Sequence, residues 1–159
     1  MTRSVTTDRS ESSKWRDGLL GGIVRLNLAV TQVLDEITGE AGITLADYLV
    51  LGVVRAAPDG RSAPKTICDV LGRTTGGMSL TLDRLEAAGL VRRSRHTGDG
   101  RRVVVELTRK GRDLATSVNG RLHEWESSLA LDHDADEVLE VIDALTSAVR
   151  ERSSLLSAG

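Results

Sequence analysis

Apolar residues recur along this chain with two different periods, and the change of period marks out its architecture. From about Lys14 to Glu40, Leu19, Ile23, Leu26, Val30, Val33, Leu34 and Ile37 fall mostly three or four residues apart, which predicts a long amphipathic helix. Gly42 breaks it. Thr44, with Asp47 three residues on, resembles a capping box and predicts a second helix to about Ala56. Ala57-Pro-Asp-Gly60 is a turn signal. Ser62 is read as the N-cap of a third helix, with Pro64 in its first turn and Gly72 at its end. Thr74 or Thr75 caps a fourth helix ending at Gly89. Gly76 and Gly77 in its first turn weaken helix propensity, which suggests a close approach of backbone there; simple tolerance at a frayed helix end is the competing explanation.

The period then shortens. Leu90–His96 and Arg101–Leu107 read as strands around Thr97-Gly-Asp-Gly100, with Asp99-Gly100 a strong hairpin dipeptide. Thr108 caps a helix carrying Leu114, Val118, Leu122, Trp125 and Leu129. Asp132–Asp136 interrupts it, and Val138, Ile142, Leu145 and Val149 mark a last helix. The expected fold is mainly α with a small β-hairpin wing. Residues 1–13 form a disordered tail, 41–113 a winged helix-turn-helix domain, and 14–40 with 114–157 a helical dimerisation region.

Charge sharpens this picture. The whole chain of 159 residues carries a formal −2, yet Arg61 to Asp113 holds twelve basic residues against six acidic ones. That surplus of six leaves the flanks at −8. Eight of the bases fall between Arg92 and Arg112, whereas Leu122 to Val149 has eight acids and no Lys or Arg. A basic middle between acidic ends suits a module that meets a polyanion; a merely solvated charge run is the competing explanation.

Composition removes other classes. Phe is absent, and Trp15, Trp125 and Tyr48 are the aromatics, which argues against proteins that stack single-stranded bases on rings. One cysteine, Cys68, excludes an intrachain disulfide framework and a Cys-cluster zinc site. Its place beside Ile67 and Val70 predicts a buried structural thiol. No apolar run approaches the roughly 20 residues of a membrane span, and the N-terminus lacks a secretory apolar stretch. A cytoplasmic setting is expected. Asp132, His133, Asp134 and Asp136 read as an interhelix loop with capping acids rather than a metal site. His96 and His123 complete no His-x-x-x-His pair, and no acid–base or nucleophile set stands out. No cofactor, no metal and no enzymatic activity are expected.

Helix, short break, helix and basic hairpin follow the order of a winged helix-turn-helix, whose second helix enters the major groove. Asp83-Arg-Leu-Glu-Ala-Ala-Gly-Leu-Val-Arg-Arg93 and Asp99-Gly-Arg-Arg-Val-Val-Val-Glu-Leu-Thr-Arg-Lys-Gly111 resemble the core signature of the MarR-type (multiple antibiotic resistance regulator) transcription factors. The resemblance covers about residues 62–113. It implies a homodimeric, ligand-responsive repressor or activator, a repressor being the expected sign, on a pseudo-palindromic double-stranded DNA operator. It assigns Arg101 to the wing tip in the minor groove and Asp99 to the position that orients that arginine. Effectors of the family bind between the dimerisation helices and the DNA-binding lobe, which draws attention to Trp15, Arg16 and Tyr48 as ligand-binding candidates.

The fourth helix departs from the family pattern, which commonly has basic side chains where this chain has Leu80 and Thr81. At about 100° per residue, Met78, Leu82 and Leu85 share the inner face. Gly76, Leu80, Arg84 and Ala87 share the outer one, with Ser79 and Thr81 at its edges. The expected DNA-binding set is Thr74, Thr75, Gly76, Ser79, Leu80, Thr81, Arg84, Arg93, Arg95, Asp99, Arg101 and Arg102. Hydroxyls suit base edges or phosphates, and Leu80 or a Thr methyl suits thymine methyls. Affinity is expected to lean on the basic wing and so to depend steeply on salt. Two readings from other classes compete: a winged-helix protein-interaction module without DNA binding, and a small-molecule enzyme.

Overall fold

A computed structural model describes residues 18–95 and 103–156. Six helices and three short strands follow in the order α1 (Gly18–Glu40), α2 (Leu45–Ala56), β1 (Arg61–Ser62), α3 (Pro64–Leu71), α4 (Thr75–Ala87), β2 (Val91–Arg95), β3 (Val103–Leu107), α5 (Arg109–Ser127) and α6 (Ala135–Leu156). The chain divides into two compact units between His123 and Glu124. Among the described residues no single helix is long and apolar enough to cross a membrane.

Local chemistry sets the helix ends. The capping box at α2 is complete: Asp47 N–H donates to Thr44 Oγ1 at 3.2 Å and Thr44 N–H donates to Asp47 Oδ2 at 3.0 Å. Gly72 and Gly89 follow α3 and α4 with φ of 61° and 68°, the left-handed backbone that glycine adopts without a Cβ penalty. Asp134 Oδ1 accepts from Asp136 and Glu137 N–H groups at the start of α6.

The start of α3 corrects the sequence reading. Ser62 is not its N-cap. Ala63 holds that position without a side-chain bond, and Pro64 opens the helix. Ser62 instead belongs to β1, paired antiparallel with β3 so that Arg61 faces Glu106 and Ser62 faces Val105. The sheet order is β1-β3-β2, and β2 pairs with β3 from Val91 opposite Leu107 to Arg95 opposite Val103. A two-residue strand carries no period, so only its partner reveals it.

The core of the first unit joins α2 (Val50, Leu51, Val54), α3 (Ile67, Cys68) and α4 (Met78, Leu82, Leu85) to Val91, Val105 and Leu107 of the sheet and Ala115 of α5. Cys68 is 5% exposed, so the expectation of a buried thiol holds. One contact fixes how α5 leaves the sheet. Thr108 Oγ1 donates to Gly89 O at 2.7 Å and accepts from Gly111 N–H at 3.0 Å. At Gly111 a Cβ would stand 1.9 Å from Leu90 O, so only glycine fits.

Candidate nucleic-acid interface

The helix-turn-helix pair is α3 and α4, and α4 is amphipathic as its sequence requires. Met78, Leu82 and Leu85 are each 1% exposed and anchor it to the core. On the other side Thr75, Gly76, Ser79, Leu80 and Ala87 are exposed, Leu80 to 70%. Thr74 is the N-cap, accepting from Gly77 N–H at 3.4 Å. Five of the expected residues, Thr74, Thr75, Gly76, Ser79 and Leu80, therefore share one accessible surface over the first two turns of α4.

Three others are placed differently. Thr81 is 7% exposed, and its hydroxyl donates to Gly77 O at 3.1 Å. It lies three residues from Met78, on the packed side of the helix. Arg84 turns toward α2, with Nε 3.1 Å and Nη2 2.6 Å from Asp47 Oδ1. Burial by itself would raise the Asp47 carboxyl. The hydrogen bonds from Arg84 and from the backbone and hydroxyl of Thr44 outweigh it, so its pKa lies below the ordinary aspartate value. Arg93 is also engaged: Nη1 lies 2.6 Å from Asp83 Oδ1 and 3.1 Å from Glu86 Oε2, and its own N–H donates to Glu86 Oε1. Arg84 and Arg93 thus strap α4 to α2 and to β2, and neither is a free guanidinium.

The strands repeat this theme. Glu106 on the central strand accepts from Arg92 Nε at 2.7 Å and from Arg61 Nε at 3.3 Å, its neighbours in register on both sides. The Arg92 hydrogen bond holds the Glu106 carboxyl below its usual value against a smaller effect of burial. Five arginines of the basic window, Arg61, Arg84, Arg92, Arg93 and Arg109, are thus paired with carboxylates of the chain itself. Conversely Lys65 and Arg73, absent from the expected set, are exposed and form no ion pair among the described residues. Arg73 directly precedes the cap of α4, a position that could have singled it out. The Arg95 side chain and Asp99, Arg101 and Arg102 of the hairpin tip lie outside the described residues, as do Trp15 and Arg16.

Tyr48 lines a cleft of about 490 Å³ between α2 and α3, whose other walls include Gly52, Val53, Pro58, Thr66 and Val70. Its hydroxyl lies 3.4 Å from Asn119 Oδ1, which also accepts from Arg55 Nη2 at 3.2 Å.

Residues 41–102 match the family model described as the MarR family. The chain is 30% identical over 102 residues to the HTH-type transcriptional regulator PecS of Dickeya dadantii (strain 3937). That match takes in 63% of this chain and 61% of the relative, so the chain spans about three-fifths of that relative's length. Among solved structures it is similar to a cysteine-to-serine mutant of MarR from E. coli complexed with operator DNA. That likeness has 27% identity and a TM-score of 0.69, over 81% of this chain and 92% of that one. It is also similar to AbsC, a MarR family transcriptional regulator from Streptomyces coelicolor. There the identity is 22% and the TM-score 0.71, over 96% of this chain and 99% of that one. The resemblance read from the Asp83–Arg93 and Asp99–Gly111 segments is borne out, as is the winged-helix fold class.

Proposed function

We propose, from the premise that this chain is a winged helix-turn-helix protein of the MarR family, that it is a transcriptional regulator gripping a pseudo-palindromic DNA operator as a homodimer. The observation that carries the reading is the outer face of α4. It is anchored from behind by Met78, Leu82 and Leu85, strapped at two points by Arg84 and Arg93, and left open along Thr75, Gly76, Ser79 and Leu80. A rigid helix whose N-terminal residues face outward is what a major groove of about 12 Å width accepts. The likeness to a MarR structure solved with operator DNA supports DNA as the partner.

Two further elements belong to the reading. Arg101, oriented by Asp99, supplies the minor-groove contact from the wing, with Arg95 and Arg102 adding phosphate contacts. Along α1, Leu20, Val24 and Leu28 stand at four-residue spacing and are 70%, 52% and 65% exposed. An apolar stripe of this kind calls for a partner surface, and a second copy related by twofold symmetry provides one. A small molecule entering the cleft beside Tyr48 would bias the pose of α2 and, through Asp47 and Arg84, that of α4, so DNA affinity responds to an effector.

An electrophoretic shift against duplex DNA flanking the protein's own gene tests the reading. A retarded complex that survives excess unrelated duplex is expected. Equal displacement by related and unrelated DNA at every concentration would leave only non-specific binding through the basic window.

A further inference from the structure

The exposed face of α4 is unusual in what it presents. Its one cation, Arg84, is bound to Asp47 with two nitrogens on the same oxygen, and its outward acid, Asp83, is paired with Arg93. Thr81 faces the core. The groove-facing side of the first two turns is thereby reduced to hydroxyls, bare backbone and one large apolar side chain. Leu80 is 70% exposed, on a helix whose other large apolar residues are buried almost completely.

Gly76, one turn earlier on the same face, points the same way. A glycine inside a helix weakens it relative to alanine. No internal contact explains this one: a Cβ there would meet nothing within 4 Å, and its φ is not left-handed. The missing side chain lowers the surface of the helix just where the first turn would meet another molecule. Glycines serve this purpose where backbone and ligand approach closely.

We infer that Leu80 is a specificity-determining residue that packs on the C5-methyl of a thymine in each operator half-site, with Gly76 letting the helix backbone come close enough for that contact. Thymine is the one base that puts a methyl group in the major groove, and an apolar side chain is the natural reader of it. Half-sites would then be chosen by apolar fit at thymine rather than by the arginine–guanine pairs common in such helices. The inference rests on the DNA-binding reading above, and the experiment separates the two.

An operator selected by the protein from a pool of randomised duplexes serves as the probe, and each thymine is replaced in turn by deoxyuridine, which lacks only the methyl. Affinity is read by fluorescence anisotropy. Burying one methyl group corresponds to about a fourfold change in binding. The wild type is therefore expected to bind about fourfold more weakly at one thymine per half-site. Leu80→Ala should bind thymine and deoxyuridine duplexes alike at that position, with its fold intact because the side chain is exposed. Gly76→Ala should raise the melting temperature and yet weaken operator binding. Equal wild-type affinity for thymine and deoxyuridine at every position would overturn the inference while leaving DNA binding in place. So would a deoxyuridine penalty that persists in Leu80→Ala. A failure to enrich any duplex at all would instead overturn the transcriptional reading on which it depends.

Discussion

Arg84 Nη2 lies 2.6 Å from Asp47 Oδ1, so the helix that faces outward is tied to the N-terminal turn of the helix behind it. The other oxygen of the same carboxylate closes the capping box with Thr44. One side chain, 5% exposed, thus caps α2 and fixes α4. Asp47→Asn is expected to destabilise the fold by about 1–3 kcal/mol, the range for a hydrogen-bonded charge whose partner is half exposed. The pH dependence follows from the sign of the shift. Because folding lowers the Asp47 pKa, its stabilisation is fully present above the unfolded value of about 4 and fades as the pH drops through and below it. Urea denaturation across that range should show an acid limb that is shallower in Asp47→Asn. Identical limbs would mean the pair contributes nothing.

Arg93 has a different consequence for DNA binding than its charge suggests. It joins β2 to Asp83 and Glu86 of α4. Arg93→Gln is expected to lower stability by about 1 kcal/mol and to weaken DNA binding without changing its salt dependence, since no phosphate contact is lost. Arg101→Ala should leave stability unchanged and reduce the salt slope by about one per subunit. Paired measurements of melting and of affinity at several salt concentrations distinguish the strap from the contact.

Gly111 admits no substitute. With a Cβ 1.9 Å from Leu90 O, alanine would push α5 away from the segment that joins α4 to β2. Gly111→Ala is expected to cost at least about 2 kcal/mol, an overpacking penalty against backbone that cannot rotate aside. Gly76→Ala, with open space around it, serves as the control and should gain up to about 1 kcal/mol. Thermal denaturation of the two variants checks both signs.

The apolar stripe of α1 gives a prediction about assembly. Val24→Glu and Leu28→Glu alter side chains that are more than half exposed, so neither should unfold the first unit. Each is expected to turn a dimer into a monomer in sedimentation equilibrium, because a buried like-charge pair would face itself across a twofold axis. A wild type that sediments as a monomer would remove this part of the account.

Much of this was legible in the sequence because it depends on neighbours. Thr44 and Asp47 declare the start of α2, Gly72 and Gly89 the ends of α3 and α4, and the alternation of Met78, Leu82 and Leu85 the buried side of α4. What depends on partners far along the chain was not. β1 exists only because Arg61 and Ser62 meet β3, more than forty residues on. Arg84 and Arg93 look like free cations in a charge count, and only the fold brings Asp47, Asp83 and Glu86 to them. The exposed set at Thr75, Gly76, Ser79 and Leu80 was found because helical spacing alone decides it.

The most direct test of the central claim is the equilibrium affinity of the wild-type protein for the duplex flanking its own gene, measured by anisotropy over a series of salt concentrations. The expected result is tight binding at low salt that falls linearly on a log–log plot, with unrelated duplex bound at least about a thousandfold more weakly. No binding to either duplex even at low ionic strength would contradict the account.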